Sequence, residues 1–219
     1  MGLYSFIAFF CFECILNQSI NQSINQSKVK NLIHFINNIT PIKEAAQQQL
    51  INLLRPIELK ENDFFVKEGQ YAKTIGFLEE GIVRAFYINQ AGKAYNKQFF
   101  VGPSLIGAYT SLLTKQKNRI AQQALCNCKI WVASYEKVEA LYNQYHDLER
   151  LGRKIAEYYF LDKEKKELDM ALLDADKRYL IFREKFPDLE LKIRQYHIAS
   201  YLGISGTQLS RIRRKLSEQ

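Results

Sequence analysis

The stretch "QYHIASYLGISGTQLSRIRRKL", residues 195–216, admits few folds. Ile198, Ala199 and Leu202 fall on one face at helical spacing. Gly203 follows, where a sharp turn needs a positive φ. Ile204 offers an apolar plug for the corner. Leu209, Ile212 and Leu216 then line one face of a second helix. Ala199 is small, so two helices can cross closely at a steep angle. These independent demands together predict a helix-turn-helix, the unit whose second helix enters the DNA major groove. Residues 191–216 hold six Lys or Arg and no Asp or Glu, against a formal net charge of +8 for the whole chain. A generic amphipathic helix pair leaves that charge unexplained.

With Leu209 and Ile212 buried, the opposite face presents Thr207, Ser210, Arg211 and Arg214. Gly206 and Gln208 lie in the same first turn. An Arg near the start of a recognition helix can bond guanine O6 and N7 in bidentate fashion. Arg213 and Lys215 point sideways and suit phosphates. Ser205 can cap the helix and also contact a phosphate. His197 reads as an exposed or phosphate-near helix residue.

Upstream, the texture is different. From residue 57 to 135 short apolar runs ("DFFVKEG", "TIGFLEEG", "IVRAFYI", "NKQFFVG", "KIWVASY") alternate with Gly-containing turns. That pattern predicts an all-β roll or barrel. Thr40-Pro41 reads as the cap and first residue of a preceding helix, with Ile42, Ala45, Ala46, Leu50, Leu53 and Leu54 at helical spacing. After the β region, Leu148, Leu151, Ile155, Tyr158 and Tyr159 form one apolar stripe on a longer helix whose later part, "DKEKKELD", is charged on all sides. Such a stripe suits a dimer seam, with packing on the chain's own β domain as the alternative. Asp174 can cap a further helix bearing Tyr179, Phe182 and Phe186, ended by Pro187. The expected class is therefore α+β: a β-roll with flanking helices at 31–145, a long dimerisation helix at 146–173, and a helical helix-turn-helix domain at 174–219. The 219 residues are enough for one large domain or two modest ones.

The first 30 residues fit none of this. "LYSFIAFFCFECIL" is apolar but shorter than the roughly 20 residues of a membrane helix. "NQSINQSINQSK" is a polar repeat that cannot build a core. The tract reads as translation ahead of the true start, with a weak membrane or export signal as the alternative. It is expected to add no patterned core. Cys11, Cys14, Cys126 and Cys128 read as reduced cytosolic thiols, since four cysteines in a chain this long do not make a disulfide framework. His34, His146 and His197 show no metal-ligand spacing, so no metal and no cofactor are expected.

Three segments, "YLIFREKFPDL", "YHIASYLGIS" and "LSRIRRKL", together with "EGQYAKTIGFLEEGIVRAFY" in the β region, resemble Crp/Fnr-type transcription regulators, especially a branch found in Bacteroidetes-type bacteria. The resemblance runs from about Leu32 to the end. It implies a cyclic-nucleotide-binding-like β-roll with Gly69, Gly76 and Gly81 at turns, a dimer helix, and a C-terminal DNA-binding unit. It also implies a cytoplasmic homodimer on inverted-repeat double-stranded DNA, contact with RNA polymerase, a small-molecule effector, and no membrane.

Departures from the family pattern are informative. Its cAMP receptors hold the nucleotide with a Gly-Glu pair, an Arg-Ser pair and a Thr-Ser pair on the dimer helix. Those positions are Gly107-Ala108, Arg119-Ile120 and Lys163-Glu164 here. Tyr109 completes the candidate effector pocket. The ribose-binding carboxylate and a phosphate-binding hydroxyl are missing, so response to cAMP is not expected. Another small anion near Arg119, or a redox signal, is the alternative. The Arg-Glu pair of the family's recognition helix is Gly206-Thr207, while Arg211 matches. Oxygen-sensing members hold an iron–sulfur cluster on four cysteines, but the spacing here differs. Enzymatic chemistry of cupin type would need His residues on adjacent strands, and residues 57–135 contain none. No catalytic residue is expected.

Overall fold

The computed structural model describes residues 29–218. Two short helices come first, α1 (Lys30–Ile39) and α2 (Glu44–Leu53). Strands β1 (Arg55–Leu59), β2 (Phe64–Val66), β3 (Thr74–Glu80), β4 (Ile82–Ile88), β5 (Ala94–Val101) and β6 (Ser104–Ile106) follow. A one-and-a-half-turn helix α3 (Tyr109–Thr114) separates them from β7 (Ala121–Ala124) and β8 (Cys128–Ser134). The rest is helical: α4 (Tyr135–Leu141), α5 (His146–Leu172), α6 (Ala175–Lys185), α7 (Leu189–Lys192), α8 (Gln195–Leu202) and α9 (Gly206–Ser217). The α+β class is as the sequence reads.

The strands form two antiparallel four-stranded sheets, ordered β1-β8-β3-β6 and β2-β7-β4-β5. Leu78, Val83, Ala124, Ile130 and Val132 fill the space between them. The first sheet is covered on its outer face as well. Phe77, Trp131 and Ala133 alternate with the inward residues and pack beneath α1, α2 and the start of α5. Burial on both faces explains why β3 and β8 read as continuous apolar runs rather than strict alternations. Gly152 lets α5 pass close to Tyr142, since a Cβ there would meet the Tyr142 hydroxyl at 2.7 Å.

Three sequence expectations are corrected here. Thr40 is the C-cap of α1, its N–H bonded to the Ile36 carbonyl, and α2 begins only at Glu44. The helix α1 was missed, though Leu32 and Ile36 lie one turn apart on its buried side. Val29, placed with the coreless leader, is only 1% exposed and belongs to the core under α1. Cys11 and Cys14 lie outside the described residues. No described helix is long and apolar enough to cross a membrane.

Candidate nucleic-acid interface

The C-terminal helices assemble as the spacing requires. Ile198, Ala199 and Leu202 of α8 meet Leu209 and Ile212 of α9, with Ile204 and Leu216 packed at the margin. Gly203 ends α8 at φ 69°, where its own N–H and that of Ile204 close back on Ser200 and Ala199. A β-carbon at Gly203 would also strike the Met170 methyl at 2.8 Å. Ser205 caps α9, its Oγ accepting from the Gln208 N–H at 3.1 Å. Asp174 caps α6 in the same way through Lys177.

Ser205, Gly206, Thr207, Gln208, Ser210, Arg211 and Arg214 are all exposed on α9. Its cations differ in what holds them. Arg213 is half-buried, with Nε 3.7 Å from Glu190, a carboxylate that also accepts from the Tyr179 hydroxyl at 2.5 Å and pairs with Arg183. Arg213 thus braces α9 against α6 and α7. Lys215 reaches Asp176 on α6 at 2.6 Å, and that bond holds its ammonium above the usual lysine range. Arg214 lies 4.0 Å from Glu218 one turn on. Among the described residues Arg211 alone of these cations has no acidic partner.

His197 is corrected most. It is 4% exposed and faces the β-roll rather than solvent. Its Nδ1 lies 3.3 Å from both the Arg84 guanidinium and the Asn96 amide, so it accepts as a neutral ring. Asn96 also donates to the His197 carbonyl at 2.9 Å. Ser200 accepts from the Asn96 N–H and donates to the Ala94 carbonyl. Arg84 is bonded twice to Gln123 Oε1 and lies over the Phe86 ring at 3.7 Å. A polar seam therefore joins α8 to β4, β5 and β7, beside the apolar contact of Ile82 and Phe99 with the C-terminal helices.

Burial, then the nearby Arg84 and Arg194 charges, push His197 down from 6.5 to about 4. A depressed value means the docked form holds the ring neutral. Its stability is fully present above pH 6.5 and is lost as pH falls toward 4. The loss is expected to be about 1–3 kcal/mol once screening at this junction is allowed for. Thermal melting from pH 7 to pH 4 checks this. His197→Asn keeps an acceptor where Nδ1 sits and should flatten that part of the profile; an equally steep profile in the variant would assign the loss to other groups.

The candidate effector residues do not make a charged pocket. Arg119 is exposed, with no acidic partner among the described residues. Ile120 is half-buried and held by Asn118 through both its N–H and its carbonyl. Ala108 is buried at the start of α3, and Tyr109 is exposed, edge-on to Tyr135. The Gly107 carbonyl accepts from Gln122 Nε2 at 3.0 Å. Gln122, which the sequence reading missed, is buried with Oε1 unpartnered. A polar residue amid the buried β7 run "AQQA" was the available signal.

The expected dimer stripe splits in two. Leu148 and Leu151 are 2% and 6% exposed and packed in the chain's own core, with Ile155 against the same cluster. They are not free to meet a second chain. Tyr159 bonds the Leu105 carbonyl at 3.1 Å and stacks edgewise on Phe100. Only Tyr158 of the five stays open, and it continues into a different stripe: Tyr158, Leu161, Leu168 and Leu172 are 62, 61, 54 and 76% exposed. Cys128 is buried, which pushes its thiol up to about 11, so it is a poor nucleophile. The described residues contain no group of three or more His, Cys, Asp or Glu placed to hold a metal.

Residues 56–145 match the family model of the cyclic nucleotide-binding domain. No curated protein matches the sequence. Solved structures match across both halves. The c-di-GMP-responsive global regulator CLP of Xanthomonas campestris is 16% identical at a TM-score of 0.63, covering 80% of this chain and 92% of its own. FixK2 of Bradyrhizobium japonicum is 17% identical at 0.66, covering 76% and 85%. A Crp/Fnr-family transcriptional regulator from Eubacterium rectale is 14% identical at 0.64, covering 82% and 88%. The chain thus carries a cyclic-nucleotide-binding-type β-roll. As a whole it has the fold of Crp/Fnr-type transcription regulators.

Proposed function

We propose that this chain is a DNA-binding transcription regulator of Crp/Fnr type, acting in the cytoplasm as a homodimer on an inverted-repeat operator, and that it does not respond to cAMP. The observation that carries the reading is Arg211: exposed on the outer face of α9 beside Thr207 and Ser210, with no acid among the described residues to hold it back. Arg213 and Lys215 keep α9 rigid against its neighbours, so Arg211 and Arg214 extend from a fixed support. Contact with RNA polymerase and an effector other than cAMP belong to the same reading.

Arg211→Ala is expected to cost about 1–3 kcal/mol on a site selected from random DNA and to relax preference at one base pair. Titrations on the selected site and on scrambled DNA check it. Equal weakening on both would make Arg211 a phosphate contact and remove the base-reading assignment.

The cAMP expectation rests on what a buried cyclic phosphate and ribose need. Ala108 offers the ribose hydroxyl no acceptor, and Ile120 offers the phosphate no donor. Two unpaired polar groups cost roughly 2–6 kcal/mol, which weakens a micromolar site at least about 30-fold and carries it to millimolar once the cost passes about 4 kcal/mol. Calorimetry with cAMP is expected to show no micromolar binding; a micromolar dissociation constant with tighter operator binding would overturn this part.

A further inference from the structure

Where α5, α6 and α8 meet, cations outnumber acids in a partly buried place. A small cavity of about 30 Å³ is lined by Lys166 and Asp169 of α5, Arg178, Phe182 and Lys185 of α6, and Tyr201 of α8. The Lys166 ammonium lies 3.4 Å from the centre of the Tyr201 ring and donates to the Lys97 carbonyl at 2.6 Å. Arg178 donates through NH1 to the Leu173 and Met170 carbonyls, while its Nε is buried with no acceptor. Lys185 is paired with Asp162. Lys97 adds a further charge from β5 and Asp169 a second carboxylate. Three cations thus line the cavity beside one acid, Asp169, while Lys97 and Asp162, the latter already paired with Lys185, lie next to the lining.

We propose that this cavity binds a chloride-sized inorganic anion between Lys166, Lys185 and the free Nε of Arg178, and that its occupancy fixes the helix-turn-helix against the long helix. The size fits: a cavity of this volume has room for a single water-sized species, and its cations supply the polar partners such a species needs. The chemistry fits too. A buried guanidinium N–H without an acceptor carries a standing desolvation cost that an anion removes. Apolar Phe182 and Met170 on the remaining wall give little to a neutral polar ligand. The anion would bridge α5, α6 and α8, the elements whose mutual placement sets where α9 points.

The site also sets a pH dependence. Burial, then the Lys185 charge, lowers Lys166 to about 7; Asp162 opposes this and Lys97 adds to it. Arg178 and Asp169 complete the charged groups around it. An anion pairs with the protonated amine, so affinity is highest below pH 7 and weakens by up to about tenfold per pH unit above it.

Anion binding here does not depend on the DNA-binding reading, and neither does the test. Thermal melting of the full chain at constant ionic strength is compared in sodium chloride and sodium gluconate, whose anion is too large for the cavity. Chloride should raise the midpoint, more at pH 6 than at pH 8.5. In Lys166→Met the chloride effect should vanish, while the midpoint in gluconate stays level or rises because a buried cation is gone. A purely structural lysine would instead lower both midpoints together. Crystals soaked in bromide should place an anomalous peak within about 3.5 Å of Arg178 Nε. No chloride-specific shift and no bromide peak would overturn the proposal. So would a shift kept in Lys166→Met but lost in Arg211→Ala, which would put the anion on the recognition helix.

Discussion

Phe182→Ala is expected to destabilise the chain by about 3–5 kcal/mol, the range for emptying a fully buried aromatic site. Phe182 is 1% exposed, at the centre of an aromatic cluster. Its ring centroid lies 6.3 Å from Phe99, 5.5 Å from Phe186, 5.7 Å from Tyr201 and 6.5 Å from Tyr179. Four rings held by β5, α8 and the two ends of α6 cannot all collapse into the space of one. The C-terminal helices alone make a unit of fewer than about 50 residues, close to the lower limit for independent folding. They gain core from the β-roll through Phe99 and Ile82. Phe99→Ala should therefore loosen the same helices although it lies in a strand, and the two substitutions should be non-additive because the rings touch. Urea unfolding of the two single variants and the double variant measures this. A loss under about 1 kcal/mol for Phe182→Ala would mean the cluster repacks and is not the core that joins roll to helices.

The helix-turn-helix was legible because each position makes its own local demand. Small Ala199, turning Gly203, capping Ser205 and apolar Leu209 and Ile212 constrain one another within a dozen residues. The junction with the roll was not legible. His197, Asn96 and Arg84 lie a hundred or more residues apart from α8 to β4, and nothing in "QYHIAS" marks a histidine that faces a strand instead of a phosphate. The ion pairs of Arg213 and Lys215 were hidden for a related reason. The acid-free count runs from residue 191, while their partners Glu190 and Asp176 lie just outside it. Thr40-Pro41 has good capping chemistry, but α1 ends there, and the chain uses Thr40 to finish one helix rather than begin the next. On α5 the periodicity revealed an apolar stripe but not which body it meets. Leu148, Leu151 and Ile155 serve the chain's own core, and the run "DKEKKELD" drew attention to its charges and away from Leu161, Leu168 and Leu172.

That second stripe sets the remaining expectation: Leu161→Glu with Leu168→Glu should abolish dimers at micromolar concentration and leave the fold intact. Tyr158, Leu161, Lys165, Leu168 and Leu172 follow one another by three and four residues alternately, the spacing of a two-stranded coiled-coil seam. The four apolar members are between 54 and 76% exposed, so their burial is still to be gained from a second chain. Each buried Leu contributes about 1.5–3 kcal/mol. Across a two-fold axis each position meets its own copy, so a glutamate there also sets like charges face to face. Losing two layers this way should raise the dimer dissociation constant by at least about a thousandfold, or roughly 4 kcal/mol. Operator binding should fall with it, because two recognition helices about 34 Å apart reach both half-sites only when joined. Sedimentation equilibrium of the parent and the double variant, each with its melting curve, separates this from unfolding. Leu148→Glu is the contrast: it puts a charge into the chain's own core and should lower the melting temperature sharply, whatever the oligomeric state. A double variant that stays dimeric at micromolar concentration would move the seam off α5. A parent that is monomeric there would remove the dimer, and with it the geometric reason for an inverted-repeat site.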